Sequence, residues 1–111
     1  MAGITAHVLN VINGRPAAGM QIELFDLSSS PPKLLNSLRT NADGRTDKPV
    51  LPAAETKVGN YEIRFHVNEF FKAPDALSDV VPIRFTIFDA AQHYHIPMLC
   101  SPWFYSTYRG S

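Results

Sequence analysis

His93 and His95 stand two residues apart in Ala-Gln-His-Tyr-His-Ile-Pro. On a β-strand, residues i and i+2 project to the same face, so both imidazoles enter one space and Tyr94 turns away. Three uses fit that pattern. The rings can simply be bonded to backbone or water. They can offer two nitrogens to Zn²⁺, with His7 or a carboxylate as third ligand, because a single cysteine cannot supply a thiolate pair. They can also move protons, since imidazole titrates near neutral pH. His7 lies among apolar neighbours in Thr-Ala-His-Val-Leu. Arg45 follows Asp43-Gly44, where a guanidinium is either solvated or a planar clamp for an anion or carbonyl. The segment Phe-Tyr-Ser-Thr-Tyr-Arg-Gly-Ser, 104–111, is too aromatic for an ordinary frayed end. It reads either as an edge strand with aromatic packing or as the lining of a site, with a second subunit as its simplest cover. Ser101 and Ser111 lack the Gly-x-Ser-x-Gly elbow of a nucleophile, and no glycine-rich phosphate loop occurs. Cys100 sits in an apolar run and reads as a packed thiol.

The elements that must position these residues are short strands. Residues 4–12 are rich in β-branched side chains and end at Asn13-Gly14, a strong turn dipeptide. Met20–Leu27 alternates, with Met20, Ile22 and Leu24 on one face. Residues 28–32 form a Ser-Pro loop, Leu34–Thr40 is a weaker strand, and residues 41–44 turn the chain ahead of Arg45. Lys48–Glu55 reads as irregular. Tyr61–Val67 alternates cleanly, its Glu62, Arg64 and His66 facing solvent. Glu69–Ala73 has room for one or two helical turns. Val81–Phe88 turns Val81, Ile83, Phe85 and Ile87 inward, and 94–100 and 104–108 are the last strands, with Trp103 as packing at the corner between them. No long helical stripe is present, so the class is all-β, a sandwich in one domain over 1–111.

The 111 residues are 45 % apolar, enough for one core and too apolar for a disordered chain. Ten basic residues cancel ten acidic ones. That balance lacks the basic excess of a nucleic-acid binder and lets surfaces associate easily. The opening residues show no basic-then-apolar leader and no membrane span, and Arg-Gly-Ser is not a peroxisomal address. The expected compartment is the cytoplasm.

Several stretches resemble the transthyretin-related family of 5-hydroxyisourate hydrolases. They are Thr-Ala-His-Val-Leu-Asn at 5–10, Gly-Arg-Pro-Ala at 14–17, Asp-Gly-Arg-Thr at 43–46 and Gly-Asn-Tyr-Glu-Ile-Arg-Phe at 59–65. Phe-Phe-Lys at 70–72, His-Tyr-His-Ile-Pro-Met-Leu at 93–99 and Tyr-Ser-Thr-Tyr-Arg-Gly-Ser at 105–111 complete the set. The final Tyr-Arg-Gly-Ser is specific and separates these enzymes from the hormone carrier of the same fold. The resemblance implies a transthyretin-like sandwich of two four-stranded sheets with one short helix. It implies a homotetramer, a dimer of dimers, with the sites in the channel between dimers. The implied catalytic residues are His7, Arg45 and His95. The implied substrate-binding residues are His93, Tyr108, Arg109, Gly110 and Ser111, and neither a metal nor a cofactor is implied.

The implied reaction hydrolyses 5-hydroxyisourate to 2-oxo-4-hydroxy-4-carboxy-5-ureidoimidazoline in urate degradation. Water activation falls to His7 with His95, and charge stabilisation to Arg45. Activity that depends on neutral histidine is expected to rise through about pH 6–7. A carrier of a small aromatic ligand is the alternative. The chain departs from the family at Asn10, usually Asp, and at Met98, Cys100 and Phe104, which bear on an orienting contact and on channel or interface packing.

Overall fold

The computed structural model describes residues 3–111. Met1 and Ala2, where the reading for a leader begins, lie outside the described residues. Eight strands run in chain order: β1 Gly3–Asn10, β2 Arg15–Pro16, β3 Gln21–Asp26, β4 Lys33–Arg39, β5 Gly59–Phe65, β6 Val81–Ile87, β7 His93–Ser101 and β8 Phe104–Thr107. A short 3₁₀ turn occupies Ala53–Glu55, and one helix, α1, spans Val67–Phe71. The strands form two four-stranded sheets, ordered β2-β1-β7-β8 and β4-β3-β5-β6. No helix among the described residues is long and apolar enough to cross a membrane.

The alternation read from sequence decides which face is buried. Ile4, Ala6 and Val8 of β1 and Tyr94, Ile96, Met98 and Cys100 of β7 point between the sheets. They meet Ile22, Leu24, Ile63, Phe65 and Val81 from the opposite sheet. Burial of that apolar surface is the main driving force of the fold. It leaves Thr5, His7, His93 and His95 together on the outer face of the first sheet.

Local chemistry shifts several boundaries. β1 stops at Asn10 because the Asn10 Oδ1 accepts the Ile12 N–H at 2.9 Å, turning the chain. Asn10 therefore shapes a turn, and its side chain bonds no site residue among the described residues. α1 starts two residues before Glu69, so β5 ends at Phe65 rather than Val67. Asn68 ties off the helix by bonding both the N–H and the carbonyl of Ala73, and Lys72 takes the left-handed conformation there. β2 has only two residues, too few to carry a pattern. Ile83 and Phe85 are only half-buried, because β6 is an edge strand beside an open groove. Trp103 lies at the β7–β8 corner with its indole N–H donating to the Asp75 carbonyl at 3.1 Å, and stays half exposed. Glu62 is buried although it faces the solvent side, because Arg64 and Arg84 cover it. The Arg64 hydrogen bond, more than any other contact, holds its carboxyl below the usual carboxylate range.

Candidate active site

β1 and β7 are the central, parallel pair, aligned with Gly3 opposite His93, Thr5 opposite His95 and His7 opposite Pro97. The rings of His93 and His95 are stacked 6.4 Å apart, the two-residue repeat of a strand. His7 and His95 are 6.5 Å apart across the pair. Between the β7 rings, Thr5 Oγ1 lies 2.9 Å from His93 Nε2 and 2.8 Å from His95 Nδ1.

Arg45 is brought to this face by the 41–45 turn. The Asn41 side-chain oxygen accepts the N–H groups of Asp43 and Arg45, and Gly44 donates to the Asn41 carbonyl. The Val8 N–H donates to the Gly44 carbonyl at 2.8 Å, pinning the turn to β1 beside His7. Gly44 has φ +75°, and a Cβ there would stand 2.4 Å from the Val8 carbonyl oxygen. Gly44→Ala is therefore expected to cost about 1–3 kcal/mol of stability and to lower activity by displacing Arg45. Urea denaturation and a rate measured well below the unfolding midpoint check the two effects separately.

The end of the described chain closes the other side. The Gly110 N–H donates to the His95 carbonyl at 2.8 Å. This bridge keeps the register in which Thr107 faces Met98. The ladder lapses between them, where Pro97 has no N–H to offer. A Cβ on Gly110 would lie 2.7 Å from His95 Cδ2, so the missing side chain is what lets the segment pack on the ring edge.

A cavity of about 430 Å³ is lined by Thr5, Arg45, Lys48, His93, His95 and Ser111, among others. His7 stands beside it. Tyr108 and Arg109 line a different groove within one chain, of about 310 Å³, with Ile83, Phe85 and Phe88. The Arg109 guanidinium lies 4.1 Å over the Tyr94 ring and donates to the Gln92 side chain and the His93 carbonyl. Arg109 thus anchors its segment here. Met98 and Cys100 are fully buried between the sheets and do not reach the site face. Burial pushes the Cys100 thiol up to about 11. Thr5 and Lys48 were not singled out by sequence. Thr5 had one signal, its position two residues before His7 on the same strand face. No group of three His, Cys, Asp or Glu side chains is arranged to hold a metal ion among the described residues.

Burial lowers the pKa of His95, the Arg45 guanidinium lowers it further, and the charge that His7 or His93 carries when protonated acts in the same direction. Its neutral form thus persists as pH falls through the ordinary imidazole range, about 6.5. A rate limb set by His95 therefore lies below the window expected from an unperturbed histidine. In an NMR titration the His95 ring is expected to protonate below that ordinary value. Arg45→Ala should move its titration upward by removing one repelling charge.

Two such sheets with imidazoles and a guanidinium on one outer face place the molecule in the transthyretin-like class. The chain belongs to the HIUase/Transthyretin family, whose profile matches residues 4–110. It is 43 % identical over 114 residues to the 5-hydroxyisourate hydrolase of Deinococcus radiodurans, covering 98 % of this chain and 96 % of that one. The solved 5-hydroxyisourate hydrolase of Klebsiella pneumoniae is 30 % identical, with a TM-score of 0.83 and coverage of 100 % and 94 %. Sea bream transthyretin, solved with thyroxine, matches at 17 % identity with a TM-score of 0.87, over 96 % of this chain and 93 % of that one, a likeness of fold alone.

Proposed function

We propose that this chain hydrolyses 5-hydroxyisourate, opening a cyclic C–N bond with water. The observation that carries the reading is the gathering of imidazoles and a guanidinium around one cavity; the lowered pKa of His95 favours its neutral form there. A ring ureide is a weak electrophile and water a weak nucleophile. The reaction needs a proton acceptor for water and a donor for the oxygen on which charge develops. His7 and His95 together supply the imidazole chemistry, and Arg45 stabilises the developing oxyanion with its planar N–H donors. His93 and Ser111 line the cavity around the substrate, and Gly110 backs the His95 ring. Freshly generated 5-hydroxyisourate, followed by absorbance, tests the reading, with catalysed decay as the expected result. Binding without turnover would instead make the protein a carrier, and loss of turnover in EDTA would favour the zinc reading.

The active form in this proposal is a homotetramer. β6 and β8 are both open edges, and Phe88, Trp103, Phe104 and Tyr108 are each more than half exposed on or beside their side of the molecule. Unpaired edges flanked by aromatics favour association. In this reading Tyr108 and Arg109, which line a separate groove of one chain, belong to a site shared between subunits. Light scattering measures the state directly, and a monomer with full activity would overturn this part.

A further inference from the structure

The hydroxyl of Thr5 sits between two imidazole nitrogens, and its hydrogen bonds must be shared out. A threonine hydroxyl has one proton to give and two lone pairs with which to accept. His93 Nδ1 is buried and has no partner among the described residues. A buried N–H without an acceptor is rarer and costlier than a bare lone pair. The His93 proton therefore sits on Nε2, 2.9 Å from Thr5 Oγ1, where the hydroxyl accepts it. The hydroxyl's own proton is left for His95 Nδ1 at 2.8 Å. A neutral ring that accepts at Nδ1 carries its proton on Nε2. His95 Nε2 makes no hydrogen bond within the described chain and is not among its buried unsatisfied atoms, so it is open to the cavity that His95 lines.

We propose that Thr5 is a positioning residue that links His93 and His95 into one hydrogen-bonded unit and holds neutral His95 as the Nε2–H tautomer. His95 then meets the substrate as a hydrogen-bond donor, and His7 is the proton acceptor. In the reaction the water oxygen bonds to the ring carbon and the water proton passes to His7. His95 Nε2–H donates to the oxygen that gains charge, without giving up its proton. As the C–N bond breaks, the proton on His7 passes to the leaving nitrogen. This division of labour rests on the hydrolase reading. The tautomer does not.

Two measurements separate these levels. Long-range ¹H–¹⁵N NMR of the labelled tetramer reads the protonated nitrogen of each ring with no substrate present. Nε2–H is expected on both His93 and His95. Nδ1–H on His95 would overturn the relay, whatever the enzyme's activity. For the rate, Thr5→Val keeps the β-branched shape and removes the hydroxyl, and Thr5→Ser keeps the hydroxyl. Thr5→Val should lower kcat about 10–100-fold with KM changed less than about threefold, while Thr5→Ser stays within about threefold of the parent in kcat. Undiminished kcat in Thr5→Val would remove the positioning role. Should Thr5→Val not fold, Thr5→Ser decides alone, since a large loss there would show that the hydroxyl is not the operative group. A parent protein that leaves 5-hydroxyisourate untouched would fail the hydrolase reading and leave the NMR result to judge the relay.

Discussion

His95→Asn is expected to lose about 10²–10⁴-fold in kcat for 5-hydroxyisourate hydrolysis while the sandwich stays folded. The choice of Asn matters. Its amide reaches as far as the Nδ1 position, so the hydrogen bond to Thr5 survives in place of the 2.8 Å contact. What disappears is a nitrogen at the Nε2 position, the group facing the cavity. His95 is on the outer face of β7, between inward Tyr94 and Ile96, so the core loses nothing. Steady-state rates, with circular dichroism and light scattering on the same sample, check the claim. Near-parental kcat in a folded variant would sink the role given to His95.

Arg45→Ala is the second large effect. The turn that carries Arg45 is held by backbone and by Asn41, so removing the guanidinium leaves the turn's own bonds in place. The loss should then be chemical, about 10²–10³-fold in kcat from a missing oxyanion donor. Arg45→Lys should recover only part of it, because an ammonium cannot offer the planar, paired N–H groups. Equal rates for the Lys variant and the parent would reduce Arg45 to a simple source of positive charge.

The sequence was informative wherever a period of two met a buried face. The alternation over 61–67 marked the strand that becomes β5, and the His-Tyr-His triplet put both imidazoles on one face with Tyr94 on the other. The resemblance then assigned His7, Arg45 and His95 to one site; Arg45 and His95 line one cavity, and His7 stands 6.5 Å from His95 across the strand pair. What could not be read depended on neighbours distant in sequence. Thr5 is an ordinary strand residue until the β1–β7 register sets it against His95. Glu62 looks solvent-facing until Arg84 from the adjacent strand covers it. The resemblance assigned Arg109 to the site, yet in a single chain it stacks on Tyr94, because that is the aromatic surface within its reach. The onset of α1 was missed because a five-residue helix has too few positions to show a period.

The parallel pairing of β1 with β7 has a consequence for how activity is acquired. The Thr5–His95 contact spans 90 residues. The opposite sheet is joined by shorter antiparallel links, β3 with β4 and β5 with β6. Closing a long loop carries an entropic cost that local hairpins avoid, and non-local contacts slow folding. During refolding from denaturant, strand signal from β3–β6 should precede the return of catalysis. Recovered turnover then serves as a clock for the moment the early and late parts of the chain pair.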